Sequence, residues 1–416
     1  MKVIILGAGV IGVTSAYILA SRGYEVEVID RQPDSARETS FANGGQLSYS
    51  HAEPWANPGV IPKIAKWLFK EDAPLVFRPR ADMDMIKWGL KFLANCTENN
   101  AKSNSVSLLK LGLYSRKKME QLRVYTGIDF HNIREGILHI FSDPKEFEAA
   151  KKQAAYQEKF GHPSEICDVN RCITLEPALQ HSGKKLVGGI FDAIDESGDI
   201  FVFTQKLAAL CESEYKVQFH YNTVIKDINY GGGKILSVST DKGEMKADSF
   251  VMSLGSYTPI YMKNLGIKVP IYPMKGYSVT LQAVPHYTPT ISLTDSELKI
   301  VYSRLGDKLR IAGTAEFAGY NCDITPHRVK PIYEAAKKLF PKAEFAEPLS
   351  SWACLRPSTP DGPPIIGKTK ISNLFMNTGH GTLGWTQAAG SANLLADVME
   401  NRPTEIRMDG LTLDRY

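Results

Sequence analysis

The chain opens on an uninterrupted apolar run, Val3-Ile4-Ile5-Leu6. A stretch with Ile11, Ser15, Ile18 and Leu19 near one helical face follows, and then an alternating segment carrying Val26 and Val28. A strand covered on both faces need not alternate, so the first segment predicts a buried parallel strand. The second predicts a helix ended by Gly23, and the third a strand ending at Asp30. Gly7, Gly9 and Gly12, in G-x-G-x-x-G spacing, join the first strand to the helix. Gly7 suits the tight turn, Gly9 lets the backbone approach a pyrophosphate, and Gly12 lets helix and strand pack closely. The helix N-terminus offers N–H groups to phosphate oxygens, and Asp30 is placed to accept from ribose hydroxyls. The pattern predicts dinucleotide binding by Val3, Gly7, Ala8, Gly9, Val10, Ile11, Gly12, Asp30 and Arg31. Residues 3–20 also lack charge and follow Lys2, as in a signal peptide. The glycine spacing, the strand that follows and the lack of a small-residue cleavage site argue against that reading.

Beyond Asp30, Thr39, Ser40 and Asn43 with Gly44-Gly45 form a polar, small-residue loop, which fits either plain surface or a cover over a cofactor. In residues 54–70, Ile61, Ile64, Ala65 and Leu68 recur at helical spacing with Lys63, Lys66 and Lys70 on another face. Such a helix can lie on a membrane surface, but the pattern favours an ordinary buried stripe. Met85 to Cys96 repeats it. Residues 105–126 predict a long helix with Leu108, Leu109, Leu111 and Leu122 inward and Arg116, Lys117 and Lys118 outward.

From Ile128 the period shortens, predicting a hairpin that turns near Glu135-Gly136; Pro144 then opens a charged helix to about Phe160. Asp195, Glu196 and Asp199 could suggest a metal, but Asp199 reads better as the N-cap of a helix beginning near Ile200. Residues 217–255 predict two to four strands around Gly231-Gly232-Gly233, the last ending at Gly255-Ser256. Residues 257–350 alternate again, predicting a mainly antiparallel sheet. The final third combines a turn-rich strand presenting Arg356 with a strand, a Gly/His/Gly loop and a helix start (residues 375–386). A helix from Ala388 to Met399 follows.

Composition changes little. At 416 residues, 43% hydrophobic and 23% charged, the chain is an ordinary globular one with room for two domains. A net charge of +4 is too small to argue for nucleic acid. Six cysteines lack C-x-x-C or Cys/His metal spacing and read as reduced thiols. With the fold signal beginning at residue 2, a cytoplasmic protein is expected.

Together the N-terminal fingerprint, TSFANGGQLS, PWANPG, ESGD, MKGYS, LRPSTPDGPPIIG and GHGTLGWT resemble the FAD-dependent amine oxidoreductases of the D-amino acid oxidase and glycine oxidase type, nearest their bacterial D-amino acid dehydrogenases. The resemblance spans essentially the whole chain. It implies an α/β fold: a Rossmann-like FAD-binding domain (1–52, 166–256, 351–416) and a second α+β substrate domain on a mainly antiparallel sheet (53–165, 257–350). It implies that Arg356 pairs with the substrate carboxylate, as a guanidinium does bidentately, and that the Tyr277 hydroxyl closes the substrate pocket. Ser40, Asn43, Gly44, Gly45, Gln46 and Leu47 become the flavin-covering loop, and Val224 and Gly255 contacts near the adenosine. Gly379, His380, Gly381, Thr382, Leu383, Gly384 and Thr386 become the loop and helix start facing the flavin. The activity implied is FAD-dependent oxidative deamination of small D-amino acids such as D-alanine, with a quinone or other respiratory carrier as electron partner and peripheral contact with the inner face of the cell membrane. Alternatives are an oxygen-using glycine, sarcosine or D-proline/hydroxyproline enzyme of the same fold, or an NAD(P)-binding or non-catalytic nucleotide-binding protein.

Overall fold

The computed structural model describes residues 1–416 except 51–52, 68–72, 79 and 160–162. Leu68, Lys70 and Phe160, which the sequence reading placed in helices, lie outside the described residues.

The N-terminal run forms the strand Lys2–Leu6 at the middle of a six-stranded sheet. The sheet order is Ile365–Lys368, Leu374–Thr378, Ser249–Met252, Lys2–Leu6, Glu25–Ile29, Gln218–His220. All pairs are parallel except the Ile365–Lys368 edge. Its unalternating strands are buried because both faces are covered. On one side lie the helices Val10–Ser21, Ile200–Tyr215 and Gly384–Met399, with Glu98–Thr126 packed on the last. On the other lies a three-stranded sheet (Ile225–Gly231, Lys234–Thr240, Gly243–Met245), whose Ile228 and Val238 meet Ile4 and Phe250.

The second sheet has nine strands. In order these are Ser350–Ser358, Tyr272–Gln282, Lys308–Phe317, Ile300–Leu305, Ser292–Asp295, Ile137–Phe141, Gly188–Asp192 and Glu165–Cys167, with Leu75–Phe77 beside Lys308–Phe317. It is antiparallel apart from two pairings. The helix Pro326–Leu339 covers one face through Ile332, Ala336 and Leu339.

Several expectations change. The hairpin at 128–143 does not form: Ile137–Phe141 pairs instead with Gly188–Asp192 and Ser292–Asp295, and Ile133 makes only a bridge to Ser197. Alternation fixes a strand's faces but not its distant partners. The strand Gly188–Asp192 belongs to the second sheet although it falls within 166–256, and Glu165–Cys167 and Ser350–Ser358, also in that sheet, run across the expected boundaries at 165/166 and 350/351. The long helix begins at Glu98, capped by Thr97, because its exposed first turns carry no apolar stripe. The last helix begins at Gly384 rather than Ala388.

The acidic segment is structural. Asp199 accepts from the N–H groups of Phe201 and Val202, Asp195 from Ser50, and Glu196 pairs with Arg123.

Candidate active site

One elongated cavity of about 990 Å³ runs between the two sheets, at the upper end of the range for ligand sites (roughly 300–1,000 Å³). Its walls come from loops at the carboxyl ends of the central parallel strands, where open α/β sheets bind ligands.

At one end lies the glycine turn. Gly7 adopts φ +107°, and a Cβ on Gly12 would come 1.8 Å from the Gly7 carbonyl oxygen, so only glycine permits this strand–helix approach. Gly9 faces open cavity, with only Ser40 Oγ at 3.5 Å from where its Cβ would be. Asp30 accepts from the N–H groups of Ala8 (2.6 Å) and Gln32 (2.8 Å), and burial raises its pKa despite these donors. Arg31 pairs with Glu38 at 2.6 Å and lies 4.1 Å over the Tyr257 ring.

Two helix N-termini open on the cavity. Asp82, Thr97, Asp143, Asp168 and Asp199 cap the helices that follow them, whereas Val10–Ser21 and Gly384–Met399 begin at the cavity without a cap from their own N-cap side chain. Ser40 Oγ takes the Val10 N–H at 3.1 Å. The remaining first-turn donors and the positive dipole end face the ligand space.

The polar loop after Thr39 is strapped to the second sheet. Ser278 donates to the Ala42 carbonyl at 2.6 Å and Ser303 to the Gly44 carbonyl at 2.7 Å, while Gln46 Nε2 reaches Ser292 and Thr294 at 3.0 Å each. Thr386 Oγ1 accepts from the Ser48 N–H at 3.0 Å, tying the loop to the last helix. Asn43, Gly44, Gly45 and Gln46 thus reach the same cavity as Gly379, Gly381, Thr382, Leu383, Gly384 and Thr386.

Arg356 also lines this cavity. It stands opposite Met274 in the sheet and its guanidinium lies over Gly276. Among the described residues it has no carboxylate partner. Desolvation pulls its pKa down to about 10, so this half-buried guanidinium remains charged at neutral pH. His380 is 3% exposed, with neither ring nitrogen hydrogen-bonded, and burial lowers its pKa to about 3.

Other expected contacts are not brought together. The side chains of Val3 and Leu47 lie in the core. Ala8 and Gly12 shape the turn without lining the cavity. Val224 and Gly255 line it, but the Val224 N–H and carbonyl both bond Asp241. Tyr277 touches the wall, yet its ring is fully buried with Val279 and Leu281 on the sheet face under Pro326–Leu339, and its hydroxyl bonds Thr325 at 3.0 Å. Arg356 shares its face with even-numbered Met274 and Gly276; Tyr277 is odd and points away. It is a packing residue here.

The sequence reading also missed a charged lobe of the cavity, where His139, Asp192 and Lys299 converge; His139 lies 3.5 Å from Asp192. The only signal was one histidine in the otherwise apolar strand ILHIF. No group of three or more His, Cys, Asp or Glu fit for a metal occurs among the described residues.

The residues fit FAD. The glycine turn, two open helix N-termini and a half-buried carboxylate beside the turn share one cavity, a donor and acceptor set that suits a pyrophosphate, a flavin edge and a ribose.

Comparison with known proteins agrees. Residues 2–398 match the DAO family model, FAD dependent oxidoreductase. The chain is 46% identical to a D-amino acid dehydrogenase of Dechloromonas aromatica over 97% of this chain and 98% of that one. It is also 46% identical to one of Paramagnetospirillum magneticum, over 100% and 99%. In fold it is similar to glycine oxidase from Geobacillus kaustophilus (TM-score 0.79, 21% identity, covering 100% and 99%) and to L-proline dehydrogenase from P. horikoshii (TM-score 0.75, 18% identity, covering 100% and 97%). With a family model over nearly its full length and a cavity built for a flavin dinucleotide, the chain belongs to the DAO family of FAD dependent oxidoreductases.

Proposed function

We propose that the protein is a D-amino acid dehydrogenase that deaminates small D-amino acids such as D-alanine to 2-oxo acids and ammonia. The observation that carries this reading is the Arg356 guanidinium, charged and without a carboxylate partner among the described residues, in the cavity that also holds the glycine turn. A substrate carboxylate would satisfy it bidentately and fix the orientation of the α-carbon. FAD, when bound, supplies the two-electron acceptor. Gly7, Gly9 and the first turn of Val10–Ser21 would hold its pyrophosphate, Asp30 its ribose, and Gly379–Gly384 with the loop Ser40–Gln46 its ring. In this reading the six-stranded sheet with its helices is the cofactor part and the nine-stranded sheet the substrate part. The relatives named D-amino acid dehydrogenase support the choice of enantiomer.

We assign the electrons to a quinone or similar carrier taken from the inner face of a membrane. A patch on the surface supports this. On the helix Met83–Asn95, Met83 (62%), Ile86 (48%), Leu90 (64%) and Leu93 (50%) are exposed at successive helical turns, with Lys87 and Lys91 exposed beside them. The opposite face, Trp88 and Phe92, packs inward. The basic helix singled out in the sequence is less available: Val60 and Ile64 pack on the same core and Lys63 pairs with Glu146 at 2.9 Å. No helix among the described residues is long and apolar enough to cross a membrane, so contact would be peripheral.

The test is anaerobic addition of D- and L-amino acids to the purified yellow protein. D-alanine should bleach the flavin spectrum and L-alanine should not; bleaching by L-enantiomers alone would overturn the reading. Peroxide release in air, against reduction of an artificial quinone, separates an oxidase from a dehydrogenase.

A further inference from the structure

We propose that Lys299 is a second anion-binding group of the substrate site, selecting D-amino acids that carry a side-chain carboxylate, such as D-glutamate. Lys299 ends the turn between the strands Ser292–Asp295 and Ile300–Leu305 and lines the same cavity as Arg356. Its φ is +55°, in the left-handed region that residues other than glycine seldom occupy. Backbone strain of this kind gathers where a side chain must be aimed at a ligand.

Register places Lys299 within reach of a substrate held by Arg356. The Arg356 guanidinium lies over Gly276, whose strand pairs with Lys308–Phe317, where Tyr277 stands opposite Gly313. A Cβ on Gly313 would in turn come 3.3 Å from the Lys299 carbonyl oxygen. Lys299 therefore lies two strands from Gly276, a separation of about 10 Å at about 4.8 Å per strand. Its ammonium moves on a flexible four-carbon stem, so it can meet the far end of a substrate whose near end Arg356 holds. A five-carbon dicarboxylate suits this span; D-alanine has nothing to offer the second cation.

The Lys299 charge is left for a ligand because the acids near it are taken. On its own turn Asp295 and Glu297 both pair with Lys184, at 2.5 and 2.8 Å. Elsewhere on the cavity wall Asp192 accepts from Ser164 at 2.6 Å and lies 3.5 Å from His139, and Glu146 pairs with Lys63 at 2.9 Å. Among the described residues Lys299 itself makes no hydrogen bond or ion pair. Burial lowers the His139 pKa, opposed by Asp192 and aided by the Lys299 charge, so that imidazole is neutral at neutral pH. The uncommitted charge of this lobe is the ammonium, and a carboxylate is the group it binds best. The amino-acid class rests on Arg356 as the α-carboxylate site; anion binding at Lys299 does not.

The experiment measures kcat/KM of the holoenzyme for D-alanine, D-glutamate and its uncharged isostere D-glutamine, and the rise in melting temperature given by glutarate and by butyrate. D-Glutamate should exceed D-glutamine about fivefold or more, through KM rather than kcat. Lys299→Met should erase that preference and Lys299→Glu should invert it. Glutarate should stabilise the parent more than butyrate does, and Lys299→Met should remove the difference. Equal use of D-glutamate and D-glutamine by the parent, a preference that survives in either variant, or equal stabilisation by the two acids would overturn the proposal. If D-alanine is not oxidised at all, the proposed function fails, and the glutarate–butyrate difference in parent and Lys299→Met still decides the Lys299 site.

Discussion

The guanidinium of Arg356 lies against the backbone of Gly276, so closely that a Cβ on Gly276 would come 2.4 Å from Nη2. The glycine's missing side chain is the space the arginine occupies. Gly276→Ala should displace Arg356, raising amino-acid KM about tenfold or more while FAD content stays unchanged. Arg356→Leu should raise it further, again with the flavin bound. Steady-state kinetics with flavin quantified by absorbance check both; unchanged KM in Arg356→Leu would remove it from the substrate site.

Gly9 and Gly12 should separate binding from folding. A methyl on Gly9 meets open cavity, so Gly9→Ala should fold normally and lose FAD affinity by about tenfold or more. A methyl on Gly12 collides with the Gly7 carbonyl, so Gly12→Ala should destabilise the apoprotein by about 2 kcal/mol or more. Apoprotein melting and FAD titration distinguish the two.

His380 predicts an acid-side stability profile. Its folded pKa, about 3, lies below the ordinary value of 6.5. Between these values the unfolded chain binds the extra proton, so stability falls as pH drops through that window, by about 1.4 kcal/mol per unit at most. His380→Gln should flatten the fall below pH ~6.5. Melting temperatures of both proteins from neutral pH downward measure it; parallel curves would mean that His380 does not titrate this way.

Leu90→Glu combined with Ile86→Glu should weaken sedimentation with anionic vesicles by about tenfold, leaving amino-acid oxidation with a soluble acceptor intact. Equal binding by variant and parent would remove this helix as the docking surface.

The cofactor half was legible because its chemistry is local. Gly7, Gly9, Gly12 and Asp30 lie within one strand–helix–strand unit, and the unit forms as its pattern predicts. Arg356 was visible as the one arginine of a turn-rich strand, and its role came from the family resemblance of its motif. Tyr277 misled because the cavity-facing side of its strand depends on the register of Tyr272–Gln282 against Ser350–Ser358, two segments far apart in the chain. The lobe of His139, Asp192 and Lys299 was hidden for the same reason, since three separated segments carry it.

The strand bearing the glycine turn has an early neighbour at Glu25–Ile29, but its other flank waits for Ser249–Met252, and that strand in turn for Leu374–Thr378. During synthesis the first strand made therefore gains its second neighbour only after residue 252. A nascent chain halted before residue 374 would leave Ser249–Met252, the neighbour of the fingerprint strand, as an unfinished sheet edge, open to wrong pairing or chaperone capture. The residues Gly379–Gly384 that line the cavity follow directly on the strand Leu374–Thr378, so the ligand space gains its last wall only with the strand that covers this edge.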